Sequence, residues 1–359
     1  MSPYTHQAER HLNRKIQYMK QIFTIVLALA LAASCSKDVV ISKAESTPIT
    51  FSNVFIDKST RSATDITYGN SPAVALEKFN IYGTVTGNSN TVNIYNGDEV
   101  TGTVGGAWSC TKTQYWVEKC NYEFVALVDA TASKEITVTD GTNTSTETAA
   151  NSVTTDGNGI PTSISYDVRT QKDLLYAPAS RNLNVATPSY EPVQLTFKHL
   201  LSKITFTFTN TFAATSGVVL RVKDIQIKTR QNATYYLTEC EWSDPVANEA
   251  VSSVSFGNTE TIQPGDEKEC ATVGILIPGE YIGEGKKLQI SFVVEHNKGG
   301  RPTSISTPLE VNLLAGNSYN FTAELNSETV SGVVPIRFTI TPDENWDGEG
   351  TDKNPSVDY

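Results

Sequence analysis

Alternation of apolar and polar side chains is the dominant pattern along the chain. It is cleanest in four segments, which carry Ile204/Phe206/Phe208, Leu288/Ile290/Phe292/Val294, Tyr319/Phe321/Ala323/Leu325 and Val334/Ile336/Phe338/Ile340. Successive side chains of a strand point to opposite faces of a sheet, so a period of two predicts strands with one buried face. Residues 49–56 predict a first strand of the same kind. Strands this numerous, separated by turn residues, predict an all-β fold made of β-sandwiches.

Two stretches depart from this simple alternation. The apolar phase changes between Val222 and Ile225, which predicts a β-bulge near Lys223-Asp224 that returns the apolar side chains to the inner face. Residues 139–159 are rich in Thr, Asn, Ser and Gly and contain few apolar residues. That composition predicts a mobile surface loop.

The length of 359 residues suggests two domains with extensions. A proline-containing stretch at residues 177–192 separates two runs of strands, so we place the domain boundary near residue 190. The prediction is an N-terminal β-sandwich at residues 35–190 and a C-terminal β-sandwich at residues 191–346. Residues 347–359 then form a polar tail.

Residues 1–34 are interpreted as an upstream extension followed by a lipoprotein signal peptide. The apolar run at residues 22–33 has the length of a signal-peptide core and is too short to span a bilayer. It ends in Leu31-Ala32-Ala33-Ser34-Cys35, which resembles a bacterial lipobox, because small side chains precede a cysteine that carries acyl chains after cleavage. Translation from Met19 would make residues 1–18 an upstream extension. The alternative is an ordinary secretory signal in which Cys35 is incidental.

Acylation at Cys35 implies a protein tethered to a membrane by its N-terminal lipid. The charge balance is consistent with a surface protein that binds no nucleic acid. With 28 Lys+Arg against 39 Asp+Glu, the formal net charge is −11. Phosphate neutralisation needs clustered basic residues, which argues against a nucleic-acid partner.

Four cysteines remain if Cys35 is acylated. Their spacing suggests the disulfides Cys110–Cys120 and Cys240–Cys270, one in each half. Spacing cannot fix connectivity, so free thiols are the alternative. The sequence has no C-x-x-C and few histidines, and we therefore predict no metal site.

No catalytic constellation is found, so an enzyme is the least favoured class. There is no G-x-S-x-G, no H-E-x-x-H and no glycine-rich phosphate loop, and we predict no cofactor. His199 lies in a Phe-x-His strand end, where we expect a hydrogen-bonded structural histidine. The tryptophans either form a surface on which sugars stack or pack in the core, and core packing is preferred. They are Trp108, Trp116, Trp242 and Trp346.

Three segments, taken together with the lipobox, resemble a known family. They are residues 108–128 with Tyr115-Trp116 ahead of a strand, residues 173–177 followed by 193–204, and residues 314–321 followed by a strand and Trp346. In this order and spacing they resemble the fimbrillin family of gut and oral Gram-negative anaerobes, the subunits of type V pili. The resemblance covers most of residues 35–346.

The resemblance implies a specific fold and assembly route. Family members have two tandem transthyretin-like β-sandwich domains and reach the surface as lipoproteins. A trypsin-like protease cuts after an arginine near the N-terminus and removes the first strand, and a neighbouring subunit then fills the groove with a strand of its own. Here the matching cut lies between Arg61 and Ser62, in a polar linker of the kind that proteases cut. The alternative is that Arg61 is an ordinary solvated arginine.

The donor strand implied by the resemblance is the last alternating segment. Its inward positions are Val334, Ile336, Phe338 and Ile340. The alternative, held as equal, is that this segment is simply the last strand of the C-terminal sandwich.

The favoured function is a structural subunit of a cell-surface pilus that supports adhesion. Its partners are other pilus subunits, the outer membrane through its lipid, and a host or bacterial surface ligand. The second hypothesis is a monomeric surface glycan-binding lipoprotein, which needs no proteolysis and would present exposed aromatic side chains.

Overall fold

The computed structural model describes residues 47–56, 76–103, 106–140, 143–247, 249–270, 272–299 and 301–343. Regular structure in these residues is almost entirely β, which confirms the all-β prediction. None of the helices in the described ranges has the length and hydropathy of a membrane span. The sites predicted at Cys35, Arg61, Ser62 and Trp346, and the polar tail, lie outside the described residues.

The strands of the first half run from β1 to β11. They are β1 Phe51–Ile56, β2 Lys78–Gly87, β3 Asn90–Gly102, β4 Trp108–Cys110, β5 Asn121–Val128, β6 Ser133–Asp140, β7 Asn143–Ala150, β8 Ser152–Thr155, β9 Pro161–Asp167, β10 Leu175–Asn182 and β11 Val193–His199. A short 3₁₀ helix at Val168–Thr170 separates β9 from β10.

The strands of the second half run from β12 to β24. They are β12 Ser202–Asn210, β13 Leu220–Arg230, β14 Asn232–Tyr236, β15 Glu241–Trp242, β16 Val251–Ser255, β17 Glu267–Glu269, β18 Gly274–Leu276, β19 Gly279–Tyr281, β20 Leu288–His296, β21 Thr303–Leu309, β22 Val311–Leu313, β23 Ser318–Leu325 and β24 Phe338–Asp343. A 3₁₀ helix at Ala214–Ser216 and the helix α1 at Ser327–Val330 complete the elements.

Seven strands of the first half close into a barrel in the order β1-β11-β10-β5-β2-β3-β4. Alternating aromatic side chains fill its interior and form one hydrophobic cluster. Gly83 on β2 makes room for two of them, since a Cβ there would lie 2.9 Å from Cδ1 of Phe124 and 3.1 Å from Cδ2 of Tyr95. The glycine that interrupts the apolar pattern of β2 is thus required by packing.

The second half packs two sheets face to face. One has the order β17-β12-β23-β24, with β18 also paired to β12, and the other has the order β16-β13-β20-β21. The rings of Phe208 on β12 and Phe292 on β20 cross between the sheets at 5.1 Å. Phe206 lies at the centre of this cluster and is fully buried.

The two halves are joined by strand pairing as well as by the chain. β9 of the first half pairs with β14 of the second, in the sheet order β15-β14-β9-β8. The side-chain Nε2 of Gln171 also donates to the carbonyl of Ile275 at 2.9 Å, and the N–H of Ile275 donates to Oε1 of Gln171 at 3.0 Å. The division of the chain into two domains near residue 190 stays a prediction.

The bulge predicted in β13 is confirmed. The register of β13 against β20 shifts between Lys223 and Gln226, and Asp224 has a φ of 52°. Inward alternation resumes after it, since Val222 and Ile227 are both fully buried.

The prediction of a mobile loop at residues 139–159 is wrong. The hairpin of β6 with β7 and the strand β8 occupy most of this stretch. Thr has a high β propensity, so a Thr-rich run can form an exposed ribbon although it carries little apolar surface.

Replacing Phe206 by Ala should lower the free energy of unfolding by about 3–5 kcal/mol, because a fully buried aromatic ring leaves a cavity. Urea denaturation followed by fluorescence measures this change. Val246→Ala is the matched control, since Val246 is 57% exposed and should change stability by less than about 0.5 kcal/mol. Equal effects of the two substitutions would contradict the placement of Phe206.

Candidate functional site: the strand that closes the barrel

β1 closes the barrel between β4 and β11. It runs parallel to β11, from Phe51 opposite Val193 to Ile56 opposite Phe197. On its other side it meets β4 in antiparallel orientation, where Phe51 is opposite Trp108. Removing β1 would therefore open the barrel and leave two strand edges without partners.

The residues just before β1 extend its second ladder. The backbone N–H of Ile49 donates to the carbonyl of Gln114 at 2.8 Å, and the N–H of Trp116 donates to the carbonyl of Thr47 at 3.1 Å. The segment at residues 47–56 thus has backbone partners on both sides. Any replacement would have to supply the same two rows of hydrogen bonds.

Ile49 and Phe51 anchor this segment in the barrel, with 4% and 3% of their surfaces exposed. The Phe51 ring lies 6.0 Å from Phe79, 6.0 Å from Tyr95 and 6.2 Å from Phe124. Burial of each side chain contributes about 1.5–3 kcal/mol. Loss of β1 would leave an apolar trough along the barrel interior.

Two of the polar groups near this trough are the phenols of Tyr95 and Tyr122. Burial raises the pKa of Tyr95 well above its usual value, and Cys110 and Asp98 raise it further. Burial also raises the pKa of Tyr122, whose hydroxyl accepts a hydrogen bond from the N–H of Val117 at 2.6 Å. The trough therefore favours apolar and neutral side chains.

The linker with the predicted cleavage site follows β1 directly. β1 ends at Ile56, and the described chain resumes at Leu76, which is buried immediately before β2. Arg61 and Ser62 lie between these points, outside the described residues. A cut there would separate β1 from all other strands of the barrel.

The predicted donor segment ends the C-terminal sheet. β24 pairs antiparallel with β23, with Phe338 opposite Ala323. Phe338 is 2% exposed, and its ring lies 5.6 Å from Phe206 and 6.2 Å from Phe292. In the single chain this segment is thus the last strand of its own sheet, as the alternative interpretation expected.

The bounds of that last strand differ from the prediction. The alternation predicts a strand from Val334, but β24 begins at Phe338. Val334 is 40% exposed, whereas Ile336 is 4% exposed. Pro335 has no N–H for a ladder, and Val334 N–H instead donates to the carbonyl of Glu328 at 3.2 Å, which explains the late start.

Neither predicted disulfide is formed, since Cys110, Cys120, Cys240 and Cys270 are all thiols. The register of the barrel explains the first case. Cys110 on β4 is opposite Val100 on β3, and Val100 is opposite Phe79 near the start of β2. Cys120 lies against Gly87, at the end of β2. The eight residue steps from Phe79 to Gly87 along β2 span roughly 26 Å, far beyond the reach of a disulfide. Cys240 is exposed in a turn, and Cys270 is partly buried against the core.

The described tryptophans serve packing and form no exposed platform. Trp108 and Trp116 are 4% and 0% exposed, and Trp242 is partly buried with its Nε1–H donating to the carbonyl of Leu200 at 2.6 Å. His199 is buried with its Nδ1 2.8 Å from Oδ2 of Asp173, which confirms a structural histidine. These placements give the glycan-binding hypothesis no support.

Sequence reasoning missed the partners of β1. The acceptor edge on β11 and the second edge at Gln114–Trp116 lie far from β1 along the chain. Strand pairing over such distances leaves no local mark in the sequence. The apolar alternation of β1 was the one signal available.

A model of the fimbrillin-like family matches residues 60–342 of the chain. No curated protein matches the sequence. Among solved structures, a fimbrial protein from Bacteroides vulgatus superposes with a TM-score of 0.54 and 13% identity, covering 83% of this chain and 99% of that one. This likeness supports the overall fold.

Two further solved structures are similar at lower scores. A fimbrial assembly protein from Parabacteroides distasonis has a TM-score of 0.38 and 14% identity, covering 82% of this chain and 100% of that one. The fimbrial anchor protein Mfa2 from Porphyromonas gingivalis has a TM-score of 0.32 and 14% identity, covering 83% of this chain and 98% of that one.

Cys240 should react with a disulfide reagent before Cys110 and Cys270. Cys240 is exposed and should react first. Burial raises the pKa of Cys270 to about 12 and also raises that of Cys110, so both hold little thiolate at mildly alkaline pH and should react slowly. Absorbance during reaction of a Cys35→Ser protein, native and in guanidinium, measures the order.

The control is Cys240→Ser, which should remove only the fast phase. A fast phase that persists in this variant, or a rapid reaction of Cys270 in the native protein, would contradict the assignment.

Proposed function

Because the chain belongs to the fimbrillin-like family, we propose that it is a structural subunit of a cell-surface pilus that assembles by strand exchange. The family is a structural one and not an enzyme family. The observation that carries the proposal is the position of β1. This strand closes the barrel by hydrogen bonding to β4 and β11, yet its only covalent connection to the other strands is the linker at residues 57–75.

Export as a lipoprotein is the first step of the proposed route. The lipobox ending at Cys35 would attach the chain to the outer membrane by its N-terminus. Since Cys35 precedes β1, the lipid and β1 are on the same side of Arg61. A single cut after Arg61 would therefore remove the anchor and β1 together.

Cleavage creates the binding groove. Once β1 is no longer tethered, its departure exposes the edges of β4 and β11 and the apolar trough that held Ile49 and Phe51. Unpaired backbone groups and exposed apolar surface are both costly in water. A strand from a second subunit satisfies both at once by β-augmentation.

β24 of a second copy is the proposed donor. Its segment presents Ile336, Phe338 and Ile340 on one phase, so burial of these side chains in the groove offsets the burial that they lose on leaving their own sheet. β24 is the terminal strand of its sheet among the described residues, so it leaves by breaking one ladder. Gly332, with a φ of 74°, precedes it in an exposed turn that can act as the hinge.

Replacing Arg61 by Ala should abolish protease-dependent multimers, because β1 stays covalently tethered in its groove. Unboiled samples of surface material on a denaturing gel measure this as loss of the multimer ladder. Arg221→Ala is the matched control, since Arg221 is exposed on β13 and should leave the ladder intact. A full multimer ladder from the Arg61→Ala protein would refute the proposed cleavage after Arg61.

Locking β24 to β23 should block assembly reversibly. Thr322 and Thr339 are directly opposite in this antiparallel pair, a separation at which cysteines can form a disulfide. The double variant Thr322→Cys with Thr339→Cys should give no ladder when oxidised and a normal ladder after reduction. The same pair changed to Ser should assemble under both conditions, and assembly of the oxidised variant would show that β24 is not the donor.

A further inference from the structure

The segment that leads into β24 repeats the sequence of the segment that leads into β1. Residues 47–52 read Thr-Pro-Ile-Thr-Phe-Ser, and residues 334–339 read Val-Pro-Ile-Arg-Phe-Thr. Pro-Ile occurs nowhere else in the sequence, and at both places a phenylalanine lies two positions after the isoleucine. The two segments therefore carry two copies of one Pro-Ile-x-Phe motif.

The two copies of the motif have the same pattern of burial. Ile49 and Ile336 are each 4% exposed, and Phe51 and Phe338 are 3% and 2% exposed. The proline and the residue between isoleucine and phenylalanine are exposed in both copies. Each copy thus buries the same two side chains on one face of an extended segment.

Each phenylalanine lies among three aromatic rings. The three rings around Phe51 in the barrel are at 6.0, 6.0 and 6.2 Å. Phe338 lies 5.6 Å from Phe206 and 6.2 Å from both Phe208 and Phe292. The aromatic pocket that holds Phe51 therefore suits the size and chemistry of Phe338.

The groove offers the motif backbone pairing ahead of the phenylalanine. In the first copy the N–H of Ile49 donates to the carbonyl of Gln114, whereas Pro48 has no N–H to place. Within the described residues, the second copy pairs with β23 only from Phe338 onward, so Ile336 lies ahead of that ladder. At the position of Ile49, Ile336 would gain the hydrogen bond to Gln114.

We propose that residues 334–339 of one subunit replace residues 47–52 of another, position for position. Proline then takes the place of proline, isoleucine of isoleucine and phenylalanine of phenylalanine. The inference rests on the proposed function, to which it adds the register and the direction of the donated strand. The second copy of the motif is a replacement for the first, matched to the same pockets and the same backbone partners.

This register places the donor subunit at one end of the groove. The donated strand runs parallel to β11, as β1 does, and its body lies where the strand begins. Pro48 pairs with Tyr115 in antiparallel orientation, so two positions earlier in the donated strand Val333 comes opposite Val117. Val333 and Val117 are 75% and 37% exposed in the single chain, and the register covers both with apolar surface.

Disulfide trapping tests the register. Ser52 is opposite Gln194 of β11, and Thr339 takes the place of Ser52. Neighbouring strands lie about 4.8 Å apart, within the reach of a disulfide. In a Cys240→Ser background, the pair Gln194→Cys with Thr339→Cys should convert the ladder on oxidation into multimers that survive boiling and become monomers on reduction. Gln194 and Thr339 are both exposed, so neither substitution disturbs the core.

Two shifted pairs are the matched controls. Arg337 and Thr341 lie two positions to either side of Thr339 and are also exposed. In the proposed register each would be about 8 Å from Gln194, beyond disulfide reach, so Gln194→Cys with either Arg337→Cys or Thr341→Cys should give no such multimers. Ser52→Cys with Gln194→Cys in the uncleaved chain forms the same pair within one subunit, and its yield is the reference.

Each outcome decides the inference. Boiling-resistant multimers from a shifted pair overturn the register, and so does an unboiled ladder of normal length in which none of the three pairs is linked. Absence of any unboiled ladder from protease-treated Cys240→Ser protein refutes the proposed strand exchange itself, and the register falls with it.

Discussion

Backbone hydrogen bonding at the gap between β4 and β11 is the constraint on which the barrel depends. A barrel has no free edge only while every strand is present. Here β1 supplies the closure: the carbonyl of Thr50 accepts from the N–H of Val193, and the N–H of Ile49 donates to the carbonyl of Gln114 on the other side. These bonds use backbone groups that every residue except proline carries, so backbone pairing alone does not specify the side chains of the strand in the gap. Its side chains decide which segment is held best.

The strand that receives β1 is continuous with the sheet that holds β24. β11 ends at His199, and β12 begins at Ser202 after two buried leucines. The junction is fixed by the buried contact of His199 with Asp173 and by the bonds between Gln171 and Ile275. The β11 edge that holds β1 and the sheet that holds β24 are therefore parts of one well-packed structure.

Local patterns in the sequence predicted many of the strands but not which strands pair with each other. The bulge near Asp224 followed from a change of apolar phase, because the inward face must be restored within one strand. The ribbon of β6 and β7 was missed since it carries few apolar residues, and the short alternation of Ile136 and Val138 in β6 was not used. The prediction of a Cys110–Cys120 disulfide was wrong for a different reason. A separation of ten residues along the sequence does not show that the two cysteines lie near opposite ends of β2. The partners of Phe51 were likewise set by long-range pairing.

In the proposed route, covalent tethering keeps β1 in place until the cut after Arg61 is made. While the linker at residues 57–75 is intact, β1 competes at the high effective concentration of an intramolecular segment, against which a strand from another subunit has little chance. The proposed cleavage would turn β1 into a separate ligand that dilutes away once it leaves. As the proposed donor, β24 would also give up the contacts of Phe338 with Phe206 and Phe292 on leaving its own sheet, so much of the apolar burial gained in the groove would offset burial that is lost. In that route the irreversible cut sets the timing of exchange.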